Sequence, residues 1–199
     1  MPKIKWIGII NEDEIKKYQV GELSNKAVKM KMPKNMNEMM IKALPFAIPA
    51  IILMRYIAYY KNHVNQQNTV NSKYIFLGLL IGFLLLFVHE LLHAIVYPKE
   101  VNAYIGIAKP FTFVSLASYP LNKIRFVLMC LLPYLLGIIP FIAFCITPAN
   151  MLELNGILWG MAIVGLVSPY PDAYNVYQVI KQVPKGRKVQ FFEDDTYYI

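Results

Sequence analysis

The stretch Ile75 to Tyr97 is apolar almost without interruption, and at about 1.5 Å per residue it is long enough as a helix to cross the ~30 Å hydrocarbon core of a bilayer. A segment in hydrocarbon must satisfy its own backbone hydrogen bonds, which makes a helix the form open to it. Its Asp, Glu, Lys, Arg or His residues are confined to its second half, where they are His89, Glu90 and His93. The rest of the chain fits a membrane-embedded class, with 57% of its residues hydrophobic and 16% charged, against about 25% charged in a soluble domain. A length of 199 residues allows a single domain.

Three more apolar blocks follow the same logic. Ala43 to Tyr60 is broken only by Arg55, whose stem can reach the headgroups from near a helix end. Ile124 to Ile146 contains Pro133 and Pro140, which free backbone carbonyls that neighbours must satisfy. Leu154 to Val167 reaches spanning length only by continuing through Ser168-Pro169-Tyr170-Pro171, or by being discontinuous there. Between the second and third blocks, Lys99, Lys109 and Lys123 argue against a further span. Tyr104 to Ile107 and Phe111 to Leu116 are β-prone pieces around Lys109-Pro110, as in a hairpin or re-entrant loop.

The expected fold is therefore an all-α polytopic membrane protein of about four transmembrane helices, near residues 43–60, 75–97, 124–146 and 154–170, with the short hairpin or loop after the second. Residues 1–41 read as an extramembrane anchoring segment with a short strand at Ile4 to Ile10 and a surface helix near Met36 to Ile41. Residues 42–183 form the membrane-embedded domain, Asp172 to Val183 having a helical cadence, and 184–199 a polar tail.

Orientation follows from Lys and Arg in short connections. A cytoplasmic N-terminal segment makes the basic 98–123 loop and the basic tail cytoplasmic, and it leaves outside the 147–153 connection, which has Glu153 but no Lys or Arg. Lys61 and Lys73 dissent. The expected location is the cell membrane, multi-pass, with both ends in the cytoplasm. The net charge of +8 is read as juxtamembrane charge that meets anionic lipid. No recognition-helix pattern, zinc knuckle or basic-aromatic stripe accompanies it, so no nucleic-acid partner is expected. Cys130 and Cys145 form no CxxC and are expected as reduced thiols. The polar, lysine-rich first forty or so residues do not read as a cleavable signal peptide.

Chemistry concentrates at His89-Glu90-Leu91-Leu92-His93, an H-E-x-x-H pattern. Four residues is close to one helical turn, so both imidazoles project from one face and can reach a single Zn²⁺. Glu90, about 100° around the axis, can poise a carboxylate beside a metal-bound water. A lone histidine on an apolar helix is about as often a hydrogen-bonded packing residue. Two with a Glu at this spacing inside lipid are costly unless paired, metal-bound or functional. A catalytic zinc also needs a third protein ligand and an open position. Glu100, just beyond Pro98, is poorly placed, and the better candidate is Asp172, where two prolines can expose a helix start, with Asn175 on the same face. As an ordinary helix cap, Asp172 would be explained without metal. With a cytoplasmic N-terminus, the second span brings His89 and His93, and the fourth brings Asp172, to the same cytoplasmic level.

The H-E-x-x-H helix, the β-prone stretch after it and the late Asp172-x-x-Asn175 resemble the small bacterial zincin peptidases related to site-2 intramembrane metalloproteases, over roughly residues 75–180. The resemblance implies zinc on His89, His93 and Asp172 and a catalytic Glu90, within a metalloprotease-like domain; the Asp172-Ala173 step departs from the Asp-Gly of the site-2 signature. The expected reaction is peptide-bond hydrolysis in or at the membrane: Glu90 activates a zinc-bound water, and Asn175 stands by as a hydrogen-bond donor to the oxyanion. The expected partners are membrane lipid and a peptide or membrane-protein substrate in extended form, with 104–116 as the edge it would pair with. A non-proteolytic membrane metal-binding protein and a structural or interaction protein are the alternatives.

Overall fold

Apolar helix faces with no partner inside the chain decide the architecture. Four helices are long and apolar enough to cross a membrane: Met36–Asn65, Ser72–Ala94, Lys123–Ile146 and Leu152–Gln182. Ile52, Leu84 and Ile146 on these helices are 63%, 71% and 78% exposed, the surface that hydrocarbon would cover. The computed structural model describes residues 1–109 and 111–199. Pro110, which the sequence places at the turn of the hairpin, lies outside the described residues.

Prolines break three of the four long helices. The first comprises α1 (Met36–Ala43), a 3-10 turn at Leu44–Ala47 containing Pro45, and α2 (Ile48–Asn65). The second, α3 (Ser72–Ala94), is unbroken, and its Asn71 cap accepts from the Lys73 N–H. The third is α4 (Lys123–Leu131), a 3-10 turn at Leu132–Tyr134 and α5 (Leu135–Ile146). The fourth is α6 (Leu152–Val167), interrupted at Ser168-Pro169 before α7 (Tyr170–Gln182).

Helices in lipid gain little from burying apolar surface, so close backbone approach must hold them together. Glycines supply it where α3 meets α6. A Cβ on Gly160 would stand 2.7 Å from Leu79 N and 2.8 Å from the Gly78 carbonyl carbon, and one on Gly82 would stand 2.8 Å from Val164 Cβ. At one end of the bundle the Asn71 N–H donates to the Leu152 carbonyl at 3.0 Å. Near it, Lys61 is buried rather than lying in a loop. Its ammonium donates to the Phe144 carbonyl, to the Thr147 carbonyl at 2.8 Å and to Asn155 Oδ1 at 2.8 Å, and it lies 4.2 Å from the Phe144 ring centroid. It thus caps the C-terminus of α5, where a cation is favoured. This use explains a lysine that dissents from a count of loop charges.

The chain outside the bundle is not all-α. The described residues are mostly helical, 57%, with two small sheets. In the first, β3 (Asn102–Ala108) lies between β1 (Lys3–Ile10), parallel to it, and β4 (Thr112–Leu116), antiparallel to it. The β1–β3 register shifts between Trp6 and Ile9, where Gly8 takes φ +75°, a conformation open to glycine. The second sheet has the order β2 (Val28–Lys29), β7 (Asp195–Tyr198), β6 (Lys188–Phe192), β5 (Leu121–Asn122). The 184–199 stretch, expected as a tail, therefore supplies two strands. Its pieces are short and charged, and their partners are remote in sequence, so no local periodicity announces them. Lys29 meets Asp195 at 2.5 Å across the β2–β7 pair, and that carboxylate holds the ammonium above the ordinary lysine range.

Aromatic contacts seat the first sheet on α3: Trp6 lies against Phe87 at 5.8 Å and Phe83 against Phe113 at 6.0 Å. One buried cluster joins Ala94 at the end of α3, Ile105 of β3, Phe126 and Met129 of α4, Val179 of α7 and Val189 of β6. Both sheets therefore cap the end of the bundle at which α3 and α7 present their functional residues.

Candidate metal centre

His89, Glu90 and His93 lie in the last two turns of α3 and are 8%, 8% and 9% exposed. One turn of helix stacks the two imidazoles, and their Nε2 atoms are 3.0 Å apart. Asp172 arrives from the fourth long helix. Pro169 and Pro171 end α6 and start α7, and the Asp172 N–H donates to the Pro169 carbonyl at 3.0 Å, so the carboxylate leaves from the first turn of α7. Its Oδ2 is 3.2 Å from His89 Nε2 and its Oδ1 is 3.4 Å from His93 Nε2. Glu90 Oε1 stands farther off, 3.9 Å from His89 Nε2. His89, Glu90 and His93 could themselves hold a metal ion, their donor atoms lying within 4.8 Å of one another. Asp172 nonetheless closes on the imidazoles more tightly than Glu90 does on His89.

These distances allow a test of fit. Donors at 2.0–2.1 Å from a tetrahedral ion are about 3.3–3.4 Å from one another. His89 Nε2 and His93 Nε2 are 3.0 Å apart, and the two oxygens of the Asp172 carboxylate stand 3.2 Å from the first and 3.4 Å from the second, so small shifts would admit zinc. The protons point the same way. His93 Nδ1 lies 2.9 Å from the Met129 carbonyl. A carbonyl only accepts, so Nδ1 carries the hydrogen and Nε2 is the nitrogen whose lone pair the ring can offer to the site. That lone pair faces a carboxylate oxygen, and two acceptors in contact call for a cation between them, a proton or a metal ion.

The centre opens on a cavity of about 440 Å³ lined by His89, Glu90, His93, Asp172, Asn175 and all five residues of β4. Asn175 is one turn beyond Asp172, and its Oδ1 is buried without a partner. Ser115 Oγ and Ser168 Oγ, on the same cavity wall, are likewise buried and unpaired among the described residues. An adjoining cavity of about 580 Å³ shares Ile15, Met36, Met39, Asn175 and Phe191 with the first and is lined by Glu12, Asp13, Asp194 and Asp195.

Several contributors escape sequence reasoning. The segment expected as an anchor walls the cavity, through Ile15 and through Met36, Met39 and Met40 on one face of α1. The i, i+3, i+4 spacing of those methionines was the available signal. Lys123 donates to the Val183 carbonyl at 2.9 Å and Arg125 to the Val96 carbonyl at 2.8 Å, so the start of α4 holds the turns that follow α7 and α3. The Met129 carbonyl is backbone and has no signature of its own.

An H-E-x-x-H helix and a third donor from a distant helix, carried by helices of spanning length, define a membrane-type helical protein with a candidate zinc centre. The chain belongs to the zincin peptidases: residues 82–187 match the model of the family described as "Putative zincin peptidase", a range that includes His89, Glu90, His93, Met129, Asp172 and Asn175. No curated protein and no solved structure matches. The family description implies zinc as the metal and points to a metallopeptidase.

Proposed function

We propose that the protein is a zinc-dependent peptidase that cleaves peptide bonds within the bilayer or at its surface, with His89, His93 and Asp172 holding the ion and Glu90 as general base. The supporting observation is the pair of Nε2 atoms 3.0 Å apart, with the two Asp172 carboxylate oxygens 3.2 and 3.4 Å from them, buried at the end of a spanning-length helix. Zinc bound there supplies Lewis-acid polarisation of the scissile carbonyl and a water nucleophile near neutral pH. Glu90 takes the proton from the attacking water and returns it to the leaving amine. Asn175, on the cavity wall one turn from Asp172, donates its Nδ2–H to the carbonyl oxygen as charge develops on it. Water arrives through the adjoining acidic cavity, on the side read as cytoplasmic.

The substrate is an extended peptide or an unwound segment of a membrane protein, since an intact helix hides its amides. β4 is an edge strand of its sheet, with β3 on one side only, and its whole length lines the cavity. A substrate strand adding to that edge would lie beside Glu90 and the donor atoms.

The test uses purified protein in lipid vesicles with peptides of extended form. Glu90→Gln keeps its zinc and loses cleavage; chelation abolishes cleavage in the wild type, and added zinc restores it. Cleavage that survives Glu90→Gln refutes the assignment of the base, and zinc binding without any cleavage of peptides or membrane proteins favours a metal-handling role. Photocrosslinks from a trapped substrate fall on Thr112 to Leu116; if they avoid it, the edge-strand model is wrong.

A further inference from the structure

The break in the third long helix lies beside the centre, and its position in the hydrogen-bond ladder is specific. In an α-helix the carbonyl of residue i takes the N–H of residue i+4. The donor owed to Met129 is residue 133, which is proline and has none. The neighbouring bonds close around the gap. The Leu132 N–H stays on the Leu128 carbonyl, while the Leu135 N–H turns to the carbonyls of Leu132 and Pro133. Met129 is left with a free carbonyl in a buried place, and His93 Nδ1 meets it at 2.9 Å. Pro133 is itself fully buried. The same break directs the Tyr134 hydroxyl to the Pro169 carbonyl at 3.2 Å, the group that also accepts the Asp172 N–H. One short segment therefore touches the supports of two of the three donors.

We propose that Pro133 is a positioning residue: by withholding an N–H from the Met129 carbonyl, it reserves that carbonyl for His93 Nδ1–H and thereby fixes the tautomer and ring orientation that point Nε2 at the metal. The inference rests on the zinc reading for its consequence, but the tautomer belongs to the chain alone. Outer partners of ligating histidines typically govern metal affinity by 10- to 100-fold, roughly the effect expected here. Pro133→Ala supplies the missing donor. The helix can then claim the Met129 carbonyl, and His93 loses its partner.

The experiment reads ring nitrogens in ¹⁵N-histidine-labelled, metal-free protein in detergent, where His63, His89 and His93 are the only histidines in the chain and single His→Gln variants assign the signals. The wild type shows one imidazole whose Nδ1–H proton is held in a hydrogen bond, and Pro133→Ala loses that signal and binds zinc roughly 10- to 100-fold more weakly against a competing chelator. Replacing residue 133 with the α-hydroxy analogue of alanine, which lacks both the ring and the N–H, restores both readouts. An unchanged tautomer and affinity in Pro133→Ala overturn the proposal, as does an ester variant that behaves like Pro133→Ala. If the alanine chain fails to fold, the ester decides alone, keeping the signal if the missing donor matters and losing it if the ring does. A wild type with the locked tautomer but no zinc affinity would refute the zinc reading and leave the positioning intact.

Discussion

Replacing Asp172 by Ala should cost the centre about two to three orders of magnitude in zinc affinity. The distances between the two Nε2 atoms and from each to its nearest Asp172 oxygen are within a few tenths of an ångström of tetrahedral donor spacing, so the carboxylate contributes as a full ligand with little rearrangement. Structural zinc sites with four ligands bind with about 10–16 kcal/mol, or about 2.5–4 kcal/mol for each ligand. At 1.4 kcal/mol per decade, that is a loss of about 100- to 1000-fold. The assay is competition with a chromophoric chelator in detergent, beside metal analysis of the purified variant and its elution as a monodisperse species. His89→Ala should lose a comparable amount, whereas Glu90→Gln should stay within about tenfold of the wild type, because Glu90 is the more distant carboxylate. Stoichiometric zinc with unchanged affinity in Asp172→Ala would refute the ligand set and return Asp172 to a helix-capping role.

Gly160→Val should destabilise the protein by about 1–3 kcal/mol, because its side chain must fit where a Cβ already stands 2.7 Å from Leu79 N. Thermal unfolding in detergent measures this, and zinc affinity should fall with it, since α3 and the α6–α7 helix carry the donors. Lys61→Met removes the donor shared by Phe144, Thr147 and Asn155 and should cost about 1–3 kcal/mol. It should leave zinc affinity unchanged, because Lys61 lies at the opposite end of the bundle; a shift in affinity would show that the two ends are coupled. Met39→Ala opens the wall that α1 gives the cavity and should shift kcat/KM by about tenfold towards substrates with bulkier apolar side chains, measured with paired peptides.

What the sequence makes legible follows from which forces are local. Spanning helices declare themselves because every residue of such a segment must be apolar, and His89, Glu90 and His93 stand out against that background. Asp172 was accessible through its prolines, which mark a helix start whatever the tertiary structure. The H-E-x-x-H spacing carries its own geometry, one helical turn. The second sheet was hidden because its pairing joins Val28 to Tyr198 and Leu121 to Val189, contacts that no periodicity of period two over a few residues can report. The wall made by α1 was hidden for a related reason: methionines one turn apart read equally well as a lipid-facing stripe. The Met129 carbonyl could be found only by counting four residues back from Pro133 and asking what the orphaned group does.

The pairing of β2 with β7 has a consequence for how the molecule comes into being. The strand leading into the methionine wall is held by residues near 197, so during synthesis it waits, without its sheet, until those residues have been made. By then α3 has already placed its histidines, and α7 brings Asp172 only after α6 has been made. A nascent chain that stops short of α7 thus lacks the carboxylate that meets the imidazoles, and one that stops short of β7 leaves β2 without its partner strand.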